Sequence, residues 1–461
     1  MHLFTNLGAE KCQNDLILCA EKCILQGEIY VEKCKMKRIA LENLLKWKES
    51  ANRKPLILNG ARQVGKTWLL REFAKTAYQK EAYIVCRKNE LVKQVFARDF
   101  DIKRILRDLR ALSKVDITPG DTLIILDEVQ DVPEAIEALK YFYEQAPEYH
   151  IAVAGSLLGI SLHQGVSFPV GKVDELDIFP MNFMEFLDAI GEQNTADLIA
   201  KRDFASIAPL HEKCVDLLRQ YYYVGGMPEA VKQYAETGAL QSVREIQKSI
   251  LRGYEQDFSK HAPKDQVAKI KLVWKSVPSQ LFKENKKFIY GALRKGARAT
   301  QYEEAIEWLV DSGLLYKVSR VSKPALPLSI YEELNIFKLY ALDVGLLGAM
   351  ANTDSSQILI KSDLIAEFNG GLAEQFILQQ MKSKRIEPIY YHSTDDSRLE
   401  LDFLIQSEGR LLPIEVKSGE SVRSNSLSTL LQNTPGLQAI RYSMRPYKEQ
   451  ASLTNVPLYA V

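Results

Sequence analysis

The octapeptide that begins at Gly60 has the residue types and spacing of a phosphate-binding loop. Gly60, Gly65, Lys66 and Thr67 occupy the fixed positions of the pattern G-x-x-x-x-G-K-[ST]. The glycines permit backbone angles that point successive N–H groups at phosphate oxygens. Lysine supplies positive charge for the β- and γ-phosphates, and the threonine hydroxyl is a ligand for Mg²⁺. The sequence therefore predicts a site for ATP and Mg²⁺ formed by Gly60, Ala61, Arg62, Gln63, Val64, Gly65, Lys66 and Thr67.

Polar residues follow two further apolar runs. Asp127 and Glu128 come after the run TLIIL at Thr122–Leu126, and Ser156 comes after the run His150–Ala154. A carboxylate at the end of a strand that adjoins the loop strand can hold Mg²⁺, and its neighbour can polarise water. We therefore expect Asp127, with Thr67, to bind the metal and Glu128 to act as catalytic base beside Lys66. Ser156 either contacts the γ-phosphate or the water, or simply belongs to a turn.

These residues require a parallel sheet to bring them together. Leu56–Leu58 predicts a strand before the loop, and a helix follows the loop. The alternation of strands and helices through residues 55–160 predicts right-handed crossovers and a doubly wound α/β domain of the P-loop NTPase type.

Size and charge limit the other possibilities. A chain of 461 residues predicts two or three domains, and a net charge of +1 gives no global attraction to nucleic acid or membrane. The sequence has no apolar run of about 18 residues, so it predicts no membrane span. We expect a cytoplasmic protein with reduced thiols.

The N-terminus differs from the rest of the chain. Cys12, Cys19, Cys23 and Cys34 cluster there without a Cys-x-x-Cys pair, which disfavours a zinc site. Residues 1–35 are predicted to be a helical or disordered extension, or the product of an upstream start, because a helical pattern begins at Met36.

The motifs resemble those of a bacterial and archaeal branch of the AAA-type ATPases. Gly60–Thr67, Asp127–Gln130 and Gly155-Ser156 carry the resemblance, which extends to Pro169–Phe186, Tyr223–Val231 and Phe337–Leu347. It implies ATP binding and hydrolysis by a protein with a C-terminal domain of unknown function, and supplies no pathway.

One position departs from the family pattern. Gly171-Lys172 stands where relatives often have Gly-Arg. If this position serves as an arginine finger, which reaches into the active site of a neighbouring subunit of an oligomer, lysine would serve poorly because it lacks the planar fork of arginine. Arg252 is an alternative finger, and the sequence leaves both the finger and the oligomeric state open.

The segment 259–298, here called the basic segment, is rich in lysine and arginine. Only Asp265 and Glu284 oppose its eleven basic residues, which gives a local net charge of +9. A helix at Gln301–Ser312 and two strands at Leu314–Val318 and Ile336–Tyr340 follow, and this order resembles a winged helix. The segment could contact DNA phosphates, or it could be a solvated surface beside a protein-docking module. The basic residues are Lys260, Lys264, Lys269, Lys271, Lys275, Lys283, Lys286, Lys287, Arg294, Lys295 and Arg298.

A second group of candidate site residues lies near the C-terminus. A helix containing Glu374 precedes strands at Ile389–His392, Leu399–Ile405 and Leu411–Val416, which carry or adjoin Asp402, Glu415 and Lys417. Glu415 and Lys417 are two residues apart and face the same side of a strand. The order resembles that of PD-(D/E)xK nucleases, which implies a second divalent metal. The alternative is a nuclease-like fold with ion pairs and no activity.

These patterns predict five regions and three competing functions. The regions are an extension (1–35), an AAA-type ATPase domain (36–200), a helical lid or connector (201–260), a winged-helix-like region (261–350) and a smaller α/β nuclease-like domain (351–461). The functions are an Mg²⁺-dependent ATPase that hydrolyses the β–γ phosphoanhydride and acts on a partner such as DNA, an ATP-gated nuclease, and a nucleotide-dependent binding switch with little turnover.

Overall fold

The computed structural model describes the chain at residues 37–156, 168–283, 286–359, 366–395, 399–419 and 425–461. The predictions for residues 1–35, including the four N-terminal cysteines, lie outside these ranges. Within them, no helix is long and apolar enough to cross a membrane. Cys86 and Cys214 are buried free thiols.

Five parallel strands form the first sheet, in the order β2-β3-β4-β1-β5. Continuous apolar runs suit such a sheet because helices cover both of its faces. The predicted fold class is confirmed: a parallel sheet with flanking helices, as in P-loop NTPases. The strands are β1 Leu56–Asn59, β2 Lys80–Val85, β3 Thr122–Asp127, β4 His150–Ala154 and β5 Asp174–Asp177.

The helices of this domain pack their apolar faces on the sheet. Ile105 and Leu109 of one helix and Phe142 of another join Ile124 and Leu126 of β3 in one core, each at most 1% exposed. The helices are α1 Ile39–Glu49, α2 Lys66–Ala77, α3 Glu90–Arg98, α4 Ile102–Ser113 and α5 Pro133–Gln145, and a 3₁₀ turn spans Val129–Asp131.

A run of helices connects the first sheet to the second. One of them, α11 (Leu240–His261), is long, and the basic segment begins at its C-terminal end and continues through α12 (Val267–Leu281) into irregular chain. The basic segment is therefore only partly helical. The helices are α6 Phe183–Ala189, α7 Gln193–Ala200, α8 Phe204–Ile207, α9 His211–Val224, α10 Pro228–Thr237, α11 Leu240–His261, α12 Val267–Leu281 and α13 Ala299–Asp311.

Eight strands form the second sheet, in the order β12-β13-β11-β10-β9-β8-β6-β7. Helix α16 packs against strand β10 of this sheet and carries Glu374. The strands are β6 Leu315–Val321, β7 Glu332–Ala341, β8 Ile389–Ser393, β9 Glu400–Ser407, β10 Arg410–Lys417, β11 Ala439–Ser443, β12 Lys448–Glu449 and β13 Leu453–Pro457. The helices are α14 Val344–Met350, α15 Ser355–Leu359, α16 Ala366–Ser383 and α17 Asn425–Asn433.

The hairpin of β6 and β7 differs from the expected arrangement in one respect. The two strands pair antiparallel, as the sequence predicts, but β6 also pairs in parallel with β8. A lone hairpin leaves backbone donors and acceptors of both strands without partners, and β8 pairs with Ser319–Val321 at one end of β6. The predicted regions 261–350 and 351–461 therefore share one sheet.

Candidate functional site

The loop after β1 has the backbone geometry that its glycines allow. Gly60 has a φ of 134° and Gly65 a φ of 93°, and a Cβ atom at Gly60 would lie 2.3 Å from the carbonyl oxygen of Ile178. Gln63 also has a positive φ, of 66°, although it is not glycine. Helix α2 begins at Lys66, so its N-terminal N–H groups and the positive end of its dipole face the loop.

Lys66 lies folded into the loop. Its Nζ donates to the carbonyl oxygens of Gly60, at 2.6 Å, and Ala61, at 2.7 Å. Burial lowers the pKa of Lys66 to about 8, while the nearby carboxylates of Glu128 and Asp127 raise it. The ammonium group is thus desolvated, and the partners described for it are carbonyl oxygens, so an anion that entered the loop would be a stronger partner.

Asp127 ends β3 beside the loop and is held by two hydroxyl groups. The Oγ1 of Thr67 and the hydroxyl of Tyr83 each donate to its Oδ2 at 2.8 Å. Tyr83 lies on β2, the strand that pairs with β3. Sequence reasoning did not identify Tyr83, because only the pairing of the two strands brings it to the carboxylate.

Glu128 lies next to Asp127 in a left-handed backbone conformation, with a φ of 54°. Its Oε2 accepts from the Nε2 of Gln130 at 2.6 Å and from the Oγ of Ser156 at 3.4 Å. Strain of this kind in a non-glycine residue costs about 1–3 kcal/mol and marks functional sites more often than other positions. The three side chains follow β3 and β4, whose carboxyl ends adjoin.

A cleft with a volume of about 370 Å³ joins these groups. Lys66, Thr67, Asp127 and the α2 N-terminus supply the cation, hydroxyl, carboxylate and N–H donors that a triphosphate and Mg²⁺ need, so the residues fit both ligands. Trp68, Pro228 and Glu229 complete the lining, and sequence reasoning did not place them there. The lining residues are Arg62, Gln63, Gly65, Lys66, Thr67, Trp68, Asp127, Glu128, Gly155, Ser156, Pro228 and Glu229.

Lys172 and Arg252, the candidate arginine fingers, do not line this cleft of their own chain. Lys172 pairs with Glu144 of α5 at 3.1 Å, and Arg252 is exposed on α11. Arg62 does line the cleft, and its Nη1 donates to both carboxylate oxygens of Asp257, at 2.7 and 2.8 Å.

The C-terminal candidates meet in a second cleft, with a volume of about 400 Å³. Phe403 of β9 pairs with Ile414 of β10, and Asp402 and Glu415 come directly next on the two strands. The Oδ2 of Asp402 accepts from the N–H of Val416 at 2.7 Å, and Lys417 Nζ lies 2.7 Å from Glu415 Oε1. Burial, Glu374 and Glu415 together raise the pKa of Asp402 well above its ordinary value.

Glu374 from α16 lines the same cleft and is 3% exposed. It forms an ion pair with Lys286, accepts from the Tyr340 hydroxyl at 3.1 Å and lies 3.7 Å from Lys338 Nζ. Burial alone would raise the pKa of Glu374, but Lys286 and Lys338 outweigh burial and lower it. Lys286 belongs to the basic segment, so one of its cations is occupied here.

Lysines contact the carboxylates of this second cleft where a metal was expected. Lys338 of β7 also pairs with Glu400 at 2.6 Å. In the described part of the chain, no group of three or more His, Cys, Asp or Glu side chains is arranged to hold a metal ion. Sequence reasoning missed Lys338 and Lys286, because no local pattern links either residue to Glu374.

Most of the basic segment is accessible. Lys260, Lys264, Lys275, Lys283, Arg294, Lys295 and Arg298 are exposed. Lys271 donates to the Ser259 hydroxyl at 3.0 Å.

Three family models match this chain. One, described as an AAA domain, matches residues 52–187. Two others, described as domains of unknown function (DUF8612 and DUF4143), match residues 215–357 and 369–460. No curated protein matches the chain.

Several solved structures are similar to it. A Walker-type ATPase of Pyrococcus abyssi has 18% identity and a TM-score of 0.44, over 69% of this chain and 96% of that one. The Orc1 protein of Aeropyrum pernix in complex with DNA has 15% identity and a TM-score of 0.26, over 68% and 90%. The Holliday junction branch migration motor RuvB of Thermotoga maritima has 14% identity and a TM-score of 0.25, over 67% and 89%. Individual residue assignments therefore rest on the geometry described above.

Proposed function

We propose that this chain, which an AAA-domain model matches at residues 52–187, is an ATPase that hydrolyses the β–γ phosphoanhydride of ATP at the loop Gly60–Thr67. The observation that carries this proposal is the contact of Thr67 and Asp127, 2.8 Å apart, beside the buried Lys66.

Each residue has a defined role in the proposed reaction. Bound Mg²⁺ would neutralise phosphate charge, with Thr67 and Asp127 as its protein ligands. Lys66 and the loop N–H groups stabilise the charge that develops on the phosphate oxygens. Glu128 accepts the proton of the attacking water, and Gln130 and Ser156 orient its carboxylate by donating to the same oxygen, Oε2.

The Glu128→Gln variant tests this proposal. We expect ATP turnover to fall about 100-fold or more, because general-base catalysis typically contributes that much. Binding of ATP with Mg²⁺, measured by calorimetry, should persist, because the substitution removes no phosphate contact. Glu144→Gln, a change of the same type on α5, is the matched control.

Two results would contradict it. Turnover by Glu128→Gln at the parental rate would remove Glu128 from the mechanism. A parent protein that binds ATP and releases no phosphate would instead be a nucleotide-dependent switch with little turnover.

We also propose that the ATPase cycle acts on DNA through the basic segment. Seven of its cations are exposed on or near α11, α12 and the chain before α13, which precede the β6–β7 hairpin. Exposed lysine and arginine suit phosphate contacts, and such binding weakens as the salt concentration rises, because the release of counterions from DNA then gains less entropy. ATP and DNA would then be the partners of this protein, which we expect to act in the cytoplasm.

The affinity for duplex DNA, measured at increasing salt concentration, tests the proposed contact between the basic segment and DNA. The triple variant Arg294→Gln, Lys295→Gln, Arg298→Gln should lower the slope of log affinity against log salt by about 2–3. The control is a second triple variant, in which three lysines outside the basic segment are changed to glutamine: Lys75, Lys103 and Lys114. Equal slopes in the parent and both variants would direct the search to a protein partner.

A metal-dependent nuclease is the second candidate function. Glu415 Oε2 is buried and accepts no hydrogen bond from the described residues, and Glu415 lines the cleft that Asp402 and Lys417 also line. An unsatisfied buried carboxylate oxygen is costly, and a divalent cation would satisfy it. DNA cleavage with Mn²⁺ or Mg²⁺ that disappears in Lys417→Ala would support this function. Cleavage that survives the change would come from another site.

A further inference from the structure

Arg62 in the phosphate-binding loop is tied to helix α11 by an ion pair. Its Nη1 lies 2.7 Å from Asp257 Oδ1, and the Asp257 side chain is 13% exposed, whereas that of Arg62 is 37% exposed. The hydroxyl of Tyr254, one turn earlier on α11, donates to the backbone carbonyl of Arg62 at 2.8 Å. The backbone of Arg62 is therefore fixed, while its guanidinium lies at the border between the helix and the cleft.

The guanidinium is close enough to the phosphate cleft to act on it electrostatically. Arg62 lines the cleft together with Lys66, Thr67 and Glu128. The hydrogen bond to Asp257 is the main cause of the raised pKa of Arg62, and the charge of Glu128 contributes to the same shift. Arg62 thus lies within electrostatic reach of the proposed base.

A terminal phosphate would compete with Asp257 for this guanidinium. Arginine binds carboxylate and phosphate with the same planar fork, and both bonds are charge-assisted. A γ-phosphate carries more charge than one carboxylate, and it would enter a cleft that Arg62 already lines. ADP lacks that group, so it would compete more weakly.

We propose that Arg62 contacts the terminal phosphate of ATP from within the same chain, and that Asp257 holds it when no ATP is bound. The inference rests on the proposed ATP site at Lys66. It places an arginine contact within the loop itself, whereas Lys172 and Arg252 do not line the cleft of their own chain.

The exchange would carry the nucleotide state to the basic segment. Asp257 lies four residues before His261, the last residue of α11, and Lys260 of the basic segment lies between them. Release of Arg62 would leave the carboxylate of Asp257 with the imidazole of His261, with which it interacts electrostatically. The end of α11 therefore has one set of charge contacts with ATP and another without it.

The test compares ATP and ADP affinities in full-length protein carrying Glu128→Gln, so that bound ATP is not consumed. Adding Arg62→Ala should reduce the preference for ATP over ADP about tenfold, because a charge-assisted contact to the terminal phosphate is lost. Adding Asp257→Asn should increase the same preference about threefold, because the competing carboxylate is gone. Lys248→Ala, at an exposed position of the same helix, should leave the ratio within about twofold.

Each outcome decides a separate point. An unchanged ratio in Arg62→Ala overturns the contact with the terminal phosphate, and an unchanged ratio in Asp257→Asn overturns the exchange. Retained ADP binding shows that a variant is folded, and Arg62→Lys, which keeps the charge without the fork, replaces Arg62→Ala should that variant bind no ADP. Failure of the parent protein to bind any triphosphate would instead reject the proposed ATP site.

Discussion

The two clefts of this protein combine the same residue types, lysine and carboxylate, in opposite arrangements. At the phosphate-binding loop, Lys66 donates to backbone carbonyls and Asp127 accepts from hydroxyls. At the C-terminal cleft, Lys338 lies 2.6 Å from Glu400 and 3.7 Å from Glu374. The first arrangement keeps charges of both signs available to a ligand, whereas the second largely neutralises them within the protein.

The supporting elements explain the difference. Lys66 begins a helix after a glycine-bounded loop, so backbone carbonyls hold it, and no carboxylate among the described residues is in hydrogen-bond contact with it. Lys338 lies inside a strand and is 1% exposed, where an ammonium group without an anionic partner would be very costly. A lysine near acids therefore indicates a ligand site only when its own partners are weak.

The largest expected effect comes from removing each lysine by the same substitution. Lys66→Met should weaken ATP binding about 100-fold or more, because a desolvated cation no longer meets the phosphates. Lys338→Met should instead lower the free energy of unfolding by about 3 kcal/mol, because Glu374 and Glu400 lose a buried partner. Calorimetric titration with ATP and urea denaturation measure the two quantities for both variants.

The cross-comparison is the control. Lys66→Met should not lose stability, and folded Lys338→Met should bind ATP like the parent. A stability loss of similar size in both variants would remove the distinction between the two clefts.

The sequence predicted the first site better than the second. Gly60, Lys66 and Asp127 are recognisable because a short loop and a buried strand end define them locally. Tyr83, Pro228 and Glu229 were missed because strand pairing and the α9–α10 turn bring them in from distant positions. The strands around Asp402 and Glu415 were also predicted, within one or two residues.

The sequence did not indicate which lysine side chains contact Glu374 at the C-terminal cleft. Lys338 comes from β7, which joins the sheet through β6 and the pairing of β6 with β8. Lys286 comes from the basic segment, two residues before Phe288, whose N–H donates to the carbonyl oxygen of Phe337 on β7. The spacing of residues within a motif indicates which side chains lie close together only when they belong to one element or to neighbouring elements. It carries no information on a side chain that arrives from another part of the fold.

The second largest expected effect is the change with pH in the free energy of unfolding of the parent protein relative to Lys66→Met. Burial lowers the pKa of Lys66 to about 8 from its ordinary 10.5, so between these values the unfolded chain binds more protons at this residue than the folded protein. The cost of the buried charge is thus fully present below pH 8 and disappears as the pH rises to 10.5. Relative to Lys66→Met, the parent should gain up to about 3 kcal/mol of unfolding free energy across that range.

Lys338 should behave in the opposite way. Burial tends to lower its pKa, but Tyr340, Glu374 and Glu400 raise it well above the ordinary value of 10.5. Its stabilising pairs are therefore complete below that value, and the difference between the parent and Lys338→Met should stay constant from about pH 8 to 10. Denaturation curves at several pH values for the three proteins decide this, and parallel trends for both lysines would contradict the assigned environments.

The smallest effect, and the finest distinction, comes from the tyrosine beside each carboxylate. Tyr83 donates to Asp127 at 2.8 Å, and Tyr340 donates to Glu374 at 3.1 Å. A phenylalanine at either position removes one hydrogen bond, worth about 0.5–1.5 kcal/mol.

Asp127 is the proposed metal ligand, so Tyr83→Phe should raise the Mg²⁺ concentration for half-maximal turnover about threefold. Glu374 is already paired with lysines, so Tyr340→Phe should change unfolding free energy alone. A shift in Mg²⁺ requirement from Tyr340→Phe as large as that from Tyr83→Phe would mean that the two clefts are coupled, because Tyr340 is not among the residues that line the ATP cleft.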